Sequence, residues 1–159
     1  MHLKHMRLTT FTDYSLRVLM YVAATPERRV TIGEIARAYG VSEHHLVKVV
    51  HFLGRHDLLS NTRGRRGGLR LARAPNEINV GAVVRLTEAG AAPAECFNHE
   101  TNRCMLAGRC RLQGALQEAV GSFYATLSRY TLADLELPRR PSGCMAVRGG
   151  LRPGDAHRG

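Results

Sequence analysis

The first regular pattern along the chain begins at Asp13, where the apolar positions Leu16, Val18, Leu19, Val22 and Ala23 recur at the steps of an amphipathic helix. Thr12 or Asp13 offers an N-cap oxygen, and Thr25-Pro26 stops the helix because the residue before proline is pushed out of the helical region. A second, short helix follows Thr31. Thr31 and Glu34 have the spacing of a capping box, and Gly40 suits the left-handed residue after the helix. Ser42 then caps a third helix, whose buried stripe is Leu46, Val49, Val50 and Leu53, while His44, His45, Lys48, His51 and Arg55 fall mainly elsewhere around the cylinder. Two short helices joined by a glycine-containing turn read as a helix-turn-helix.

After Leu58 and Leu59 the pattern changes. Glycines at 64, 67 and 68 permit a tight hairpin, and Leu69, Arg70 and Leu71 alternate with strand period, which predicts a basic wing. Residues 76–88 resume helical spacing through Ile78, Val80, Val83, Val84 and Leu86. A loop of low apolar regularity, 89–110, holds three of the four cysteines. Beyond it Leu116, Val120, Phe123, Leu127 and Tyr130 step by 4, 3, 4 and 3, a heptad-like seam. Such a seam pairs the helix with a second copy or packs it on its own domain. The expected class is mainly α: a winged helix-turn-helix over 1–88, a cysteine loop over 89–110, a long dimerisation helix within 111–137, and a Gly-, Pro- and Arg-rich tail over 138–159 that lacks a hydrophobic pattern.

The 159 residues, 44% hydrophobic and 23% charged, suit one ordinary globular domain. No stretch approaches the ~18 consecutive apolar residues of a membrane span. The longest candidate, Val18–Ala24, is bounded by Arg17 and Thr25-Pro26 and makes a poor secretory signal, so a cytoplasmic protein without a membrane partner is expected. Net charge changes the picture more. Of a formal +10, +7 falls between Arg28 and Arg73, on the motif with groove-binding geometry. A cationic face keeps many proteins soluble, and some helix-turn-helix units serve protein contacts alone. The coincidence of charge and motif points to DNA.

In a helix-turn-helix the second helix enters the major groove and a wing meets phosphates nearby. Glu43, His44, His45 and Lys48 are the candidate base readers. Arg63, Arg65, Arg66 and Arg70 are candidate backbone contacts, with Ser42 and Asn61 as uncharged donors. Histidines at 44, 45, 51 and 56 are spread over more than one helix face, which suits polar surface or groove-facing groups better than a metal site.

Cys96, Cys104 and Cys110 share the loop, and Cys144 is isolated in the tail. Clustered cysteines in a cytoplasmic protein point to metal or redox chemistry before disulfides. Their Cys-x7-Cys-x5-Cys spacing lacks the paired CxxC knuckles of a structural zinc site and better fits a loop wrapped around a larger inorganic centre. Zinc and a thiol redox switch remain the alternatives. Three thiolates leave one position of a 4Fe-4S or 2Fe-2S cluster to Cys144, His99, a carboxylate or an exogenous molecule. Without CxxC or a paired general acid and base, an enzyme is not expected.

The stretches Met6-Arg-Leu-Thr, Phe11-Thr12-Asp13-Tyr14, Gly40-Val41-Ser42, Leu46 with Lys48-Val49-Val50, Arg66-Gly67-Gly68-Leu69 and the three-cysteine loop together resemble the winged-helix iron-sulfur repressors of bacteria. The likeness runs from Met6 to about Leu135. Cys96-Phe97-Asn98 and Arg129-Tyr130-Thr131-Leu132-Ala133-Asp134 are closer to the nitric-oxide-sensing branch than to the regulators of cluster assembly, which are the alternative within the family. The resemblance implies a homodimer on a two-fold-related operator that represses nitric-oxide detoxification genes. It implies an iron-sulfur cluster, 4Fe-4S ahead of 2Fe-2S, on Cys96, Cys104 and Cys110. It also implies a fourth ligand at Asp13 across the dimer, a residue that by itself reads as a helix N-cap. The gap between the first two cysteines is longer here than in the family pattern, and Cys144 matches nothing in it.

Overall fold

The computed structural model describes residues 8–62, 64, 67–89 and 110–135. Arg63, Arg65, Arg66, Cys96, Cys104 and the tail from 138 lie outside them. Five helices and one hairpin follow in the order α1 (Thr10–Ala23), α2 (Ile32–Tyr39), α3 (Glu43–Arg55), β1 (Leu59–Thr62), β2 (Gly68–Leu71), α4 (Val80–Thr87) and α5 (Arg111–Leu127). This is the mainly α, winged arrangement the pattern predicts. Among the described residues no helix is long and apolar enough to cross a membrane.

α1 starts before Asp13. Thr9 is its N-cap and its hydroxyl accepts from Thr12 N at 3.2 Å, so neither Thr12 nor Asp13 caps. The reason is tertiary: Thr12 is fully buried and donates to Thr87 Oγ1 at 2.8 Å, while Asp13 turns outward. α1 buries Val18, Leu19 and Val22. Thr31 caps α2 by accepting from Glu34 N at 3.2 Å. The return half of a capping box is absent, because the Glu34 carboxylate pairs instead with Arg28 and accepts from Tyr21 Oη. Gly40 closes α2 at φ +64, a conformation that penalises any residue with a Cβ. Ser42 occupies the N-cap of α3, although its hydroxyl makes no capping bond.

The hairpin pairs Leu59 with Leu71 and Thr62 with Gly68 in antiparallel register. Its inner strand reaches the linker before α2 through Val30 N to Leu69 O (3.1 Å) and Leu69 N to Val30 O (2.8 Å). Residues 76–88 are not one helix. A 3-10 turn, Pro75–Glu77, is followed by extended Ile78, and Asn79 caps α4 by accepting from Ala82 N. Ile78 still points into the core, which explains why its spacing looked helical.

Leu19, Ile35, Leu46, Leu53, Leu69, Ile78 and Leu132 are each under 2% exposed. They come from α1, α2, α3, β2 and both ends of the α4–α5 region. At roughly 1.5 to 3 kcal/mol per buried aliphatic side chain, this cluster binds the elements into one unit.

α5 ends at Leu127, so Tyr130 lies beyond the helix, 45% exposed. The chain then folds back: Asn79 Nδ2 donates to Ser128 O (2.7 Å), Val80 N to Tyr130 O (3.0 Å) and Leu132 N to Ile78 O (2.8 Å). α5 itself has no buried residue. Leu116, Val120, Phe123 and Leu127 are half-buried along one face, and the Arg85 guanidinium lies 4.2 Å over the Tyr124 ring.

Candidate DNA-reading face and cysteine site

The third helix owes its position to one stripe. Leu46, Val49, Val50 and Leu53 are buried against α1 and α2, which turns the opposite side outward. There His44, Lys48, His51 and Arg55, spaced 4, 3 and 4, line a single exposed row. His44 and Lys48 are among the readers expected from the sequence. His51, expected as a polar surface or groove-facing group, and Arg55, expected off the buried stripe, extend the same row although neither is among the candidate readers; the continued 4-3-4 spacing from His44 is the signal that finds them. Val47, 51% exposed beside the row, carries no sequence signal for a polar contact.

The remaining expected readers lie at the start of the same helix, with contacts of their own. His45 stacks on Tyr14 of α1 with ring centroids 6.4 Å apart, and its ring lies 6.1 Å from that of His44 in the row. Glu43 lays its carboxylate over Gly33 in the first turn of α2, occupying the space a side chain there would need. Ser42 is exposed at the helix start. In the wing, Arg70 is exposed and opposite Ser60, and Asn61 is exposed. Arg29 braces the hairpin by donating to Thr62 Oγ1 at 2.6 Å, a role not expected from the sequence. Arg63, Arg65 and Arg66 fall outside the described residues.

The described residues reach both flanks of the cysteine loop, and the first flank is anchored. At the first end Glu88, the C-cap of α4, accepts from Thr9 N (2.7 Å) and Thr9 Oγ1 (2.9 Å). Burial pushes the Glu88 carboxyl up, and hydrogen bonds from Thr12 and Thr9 outweigh it, leaving its pKa below the ordinary range. At the second end Cys110 is half-buried at the N-cap of α5, with no capping bond from its sulfur and, among the described residues, no disulfide partner. Cysteine sulfurs are the soft donors that iron-sulfur centres take.

Asp13 lies in the first turn of α1, 44% exposed, and both carboxylate oxygens meet Arg17 at 3.0 Å. Its hydrogen bond holds the Arg17 guanidinium above its ordinary pKa, against partial desolvation. An exposed pair of this sort contributes ~0 to 1 kcal/mol, so Asp13 is cheaply released to another cation. α1 in turn touches the reading helix through Phe11, whose ring meets Phe52 edge-on at 5.1 Å. Among the described residues no three His, Cys, Asp or Glu side chains converge to hold a metal.

A winged helix-turn-helix with an exposed basic row is the geometry of a transcription factor, and comparison with known proteins agrees. Residues 8–136 match the family model Rrf2, described as an iron-dependent transcriptional regulator. The chain is 49% identical over 131 residues to the HTH-type transcriptional regulator NsrR of Halalkalibacterium halodurans, covering 82% of this chain and 90% of that one. It is 44% identical over 131 residues to the NsrR of Bacillus subtilis, covering 82% and 90%. Among solved structures it is similar to CymR, the global cysteine regulator of B. subtilis, with a TM-score of 0.62 and 28% identity over 82% of this chain and 95% of that one. The T. potens IscR structure, at 24% identity and a TM-score of 0.64 over 82% and 85%, shares the fold. These relatives are regulators rather than enzymes, and the chain belongs to the Rrf2 family of iron-dependent, helix-turn-helix transcriptional regulators.

Proposed function

We propose that the chain is a homodimeric repressor that binds a two-fold-related operator, carries an iron-sulfur cluster, and leaves DNA when nitric oxide is present, so controlling nitric-oxide detoxification genes. Residues 1–88 read DNA, 89–110 hold the cluster, and 111–137 pair the subunits. Ser42, Glu43, His44, His45 and Lys48 meet the major groove, and Arg63, Arg65, Arg66 and Arg70 meet phosphates. Cys96, Cys104 and Cys110 would hold the cluster, of 4Fe-4S type, with Asp13 of the second copy at the remaining position. When bound, the cluster supplies iron with high affinity for a small neutral radical.

The observation that carries this reading is the tie between the residue before the loop and the helix that bears Asp13. One end, Glu88, is hydrogen-bonded to the N-cap of α1, and the other, Cys110, starts α5. α1 carries Asp13 and packs on the reading helix through Phe11 and Phe52. The half-buried seam of α5, left incomplete within one chain, suits a second copy. A change of loop conformation therefore pulls on α1 and on the separation of the two reading helices. Two half-sites must be matched to about one helical turn or a multiple of it, and losing about 3 to 4 kcal/mol of that match lowers affinity a few hundredfold.

Anaerobic purification followed by iron, acid-labile sulfide and zinc analysis tests the reading, together with titration of DNA binding by a nitric-oxide donor. Brown protein with iron and sulfide that releases its operator on titration is expected. Colourless, zinc-loaded protein that keeps its operator would overturn it. Cys104→Ala should abolish both the visible absorption and specific binding.

A further inference from the structure

Val47 is out of place for a purely structural residue. Its helical neighbours Leu46, Val49 and Val50 are at most 4% exposed and complete the core stripe without it, yet Val47 is 51% exposed. A β-branched side chain on a solvated helix face costs helix propensity and exposes two methyl groups to water. It also lies in the second turn of α3, within the part of a reading helix that enters the major groove. Around it is a shallow cleft of about 430 Å³ lined by Phe11, Val47, Lys48, His51, Phe52 and Arg55. The floor is apolar and one edge is cationic.

Those features describe one ligand chemistry. In the major groove a thymine presents a C5-methyl group, the one apolar feature of a base edge, flanked by the phosphate backbone. Lys48 and Arg55 supply charge, and His51 an imidazole N–H, along the same edge on which Val47 supplies the apolar contact. We propose that Val47 is a specificity-determining residue of the reading helix, which packs its methyl groups against the C5-methyl of a thymine in each half-site. This rests on the family's DNA binding and goes beyond the polar readers assigned above. Because the valine side chain is short, the contact at ~4 Å requires the α3 backbone to run close to that base pair. The longer Lys48 and Arg55 then reach past it.

The test uses the full chain in its cluster-bearing form and a duplex enriched by that protein from a random library. Each thymidine is replaced in turn by deoxyuridine, which removes only the methyl group, and affinities are measured for wild type and Val47→Ala. In wild type, one symmetry-related thymine per half-site should lose about fourfold in affinity on replacement, the worth of one buried methyl group. For Val47→Ala the same replacement should cost less than about twofold, while binding to unrelated DNA stays unchanged because no charge is altered. Equal thymidine-to-deoxyuridine penalties in both proteins at every position would overturn the assignment. So would a Val47→Ala protein that changes oligomeric state instead, which would make the cleft a protein contact. A library from which no sequence is enriched would overturn this inference and the proposed operator binding together, whereas enrichment without methyl coupling overturns this inference alone.

Discussion

Replacing Gly81 by alanine puts one methyl group where α4 meets the end of α5. A Cβ at that position would collide with Ser128 Oγ and lie 2.7 Å from Ser128 N and 2.8 Å from Ser128 Cα. The hydroxyl can rotate away, but the backbone atoms cannot. Restoring an ordinary carbon–carbon separation of about 3.5 Å means that the Ser128 segment retreats by roughly 0.7 Å. That movement falls on the bonds from Asn79 Nδ2 to Ser128 O, Val80 N to Tyr130 O and Leu132 N to Ile78 O, now 2.7, 3.0 and 2.8 Å. Each is worth about 1 kcal/mol, and overpacking adds to their loss. Alanine's helix propensity returns at most about 1 kcal/mol. A net destabilisation of about 1 to 3 kcal/mol follows, with α5 loosened from the domain. Urea unfolding followed by far-UV circular dichroism measures it, with the slope checked against wild type so that a change in midpoint reports stability. A midpoint that stays put or rises would show that α5 does not dock on α4 as described.

Other consequences are equally direct. Gly40→Ala forces a Cβ into the left-handed turn between α2 and α3 with no steric neighbour to confuse the effect, and should cost about 1 to 2 kcal/mol in the same assay; Gly40→Asn should cost less. Glu88 has a folded pKa below its ordinary value of 4.5, so its contribution to stability is present above that pH and disappears as pH falls through the lower folded value. Wild type should therefore be more stable than Glu88→Gln at neutral pH and converge with it in acid. A gap that does not depend on pH would mean that the Thr9 clamp does not need the charge. Arg70→Ala should weaken binding to all duplexes and reduce the slope of log affinity against log salt by ~0.9 per subunit on the DNA; an unchanged slope removes that side chain from the phosphate contacts. Cys110→Ser should lower the iron content of anaerobically purified protein, while the urea midpoints of the cluster-free variant and cluster-free wild type coincide, since the sulfur makes no capping bond to α5.

Local patterns in the chain were enough for the helix-turn-helix. The 3.6-residue spacing of Leu46, Val49, Val50 and Leu53, the cap at Thr31 and the glycine at 40 act within a few residues of one another, so neighbours in sequence decide them. The wing hairpin was legible for the same reason. The concentration of ten basic residues between Arg28 and Arg73 likewise pointed to DNA before any geometry was known. What needed the tertiary structure were choices in which a distant partner outcompeted a local one. Thr12 left its capping role for Thr87, 75 residues away. Glu34 gave up the capping box for Arg28 and Tyr21. Ile78 kept helical spacing while sitting in an extended segment that pairs with Leu132. Which side chains turn outward from α3, with Val47 exposed beside His44 and Lys48 while His45 stacks on Tyr14, depended on how α1 and α2 pack against it. Periodicity records which residues prefer to be dry, and only the packed chain settles which polar group each hydrogen bond reaches, because a better-placed donor far along the sequence can always displace a near one.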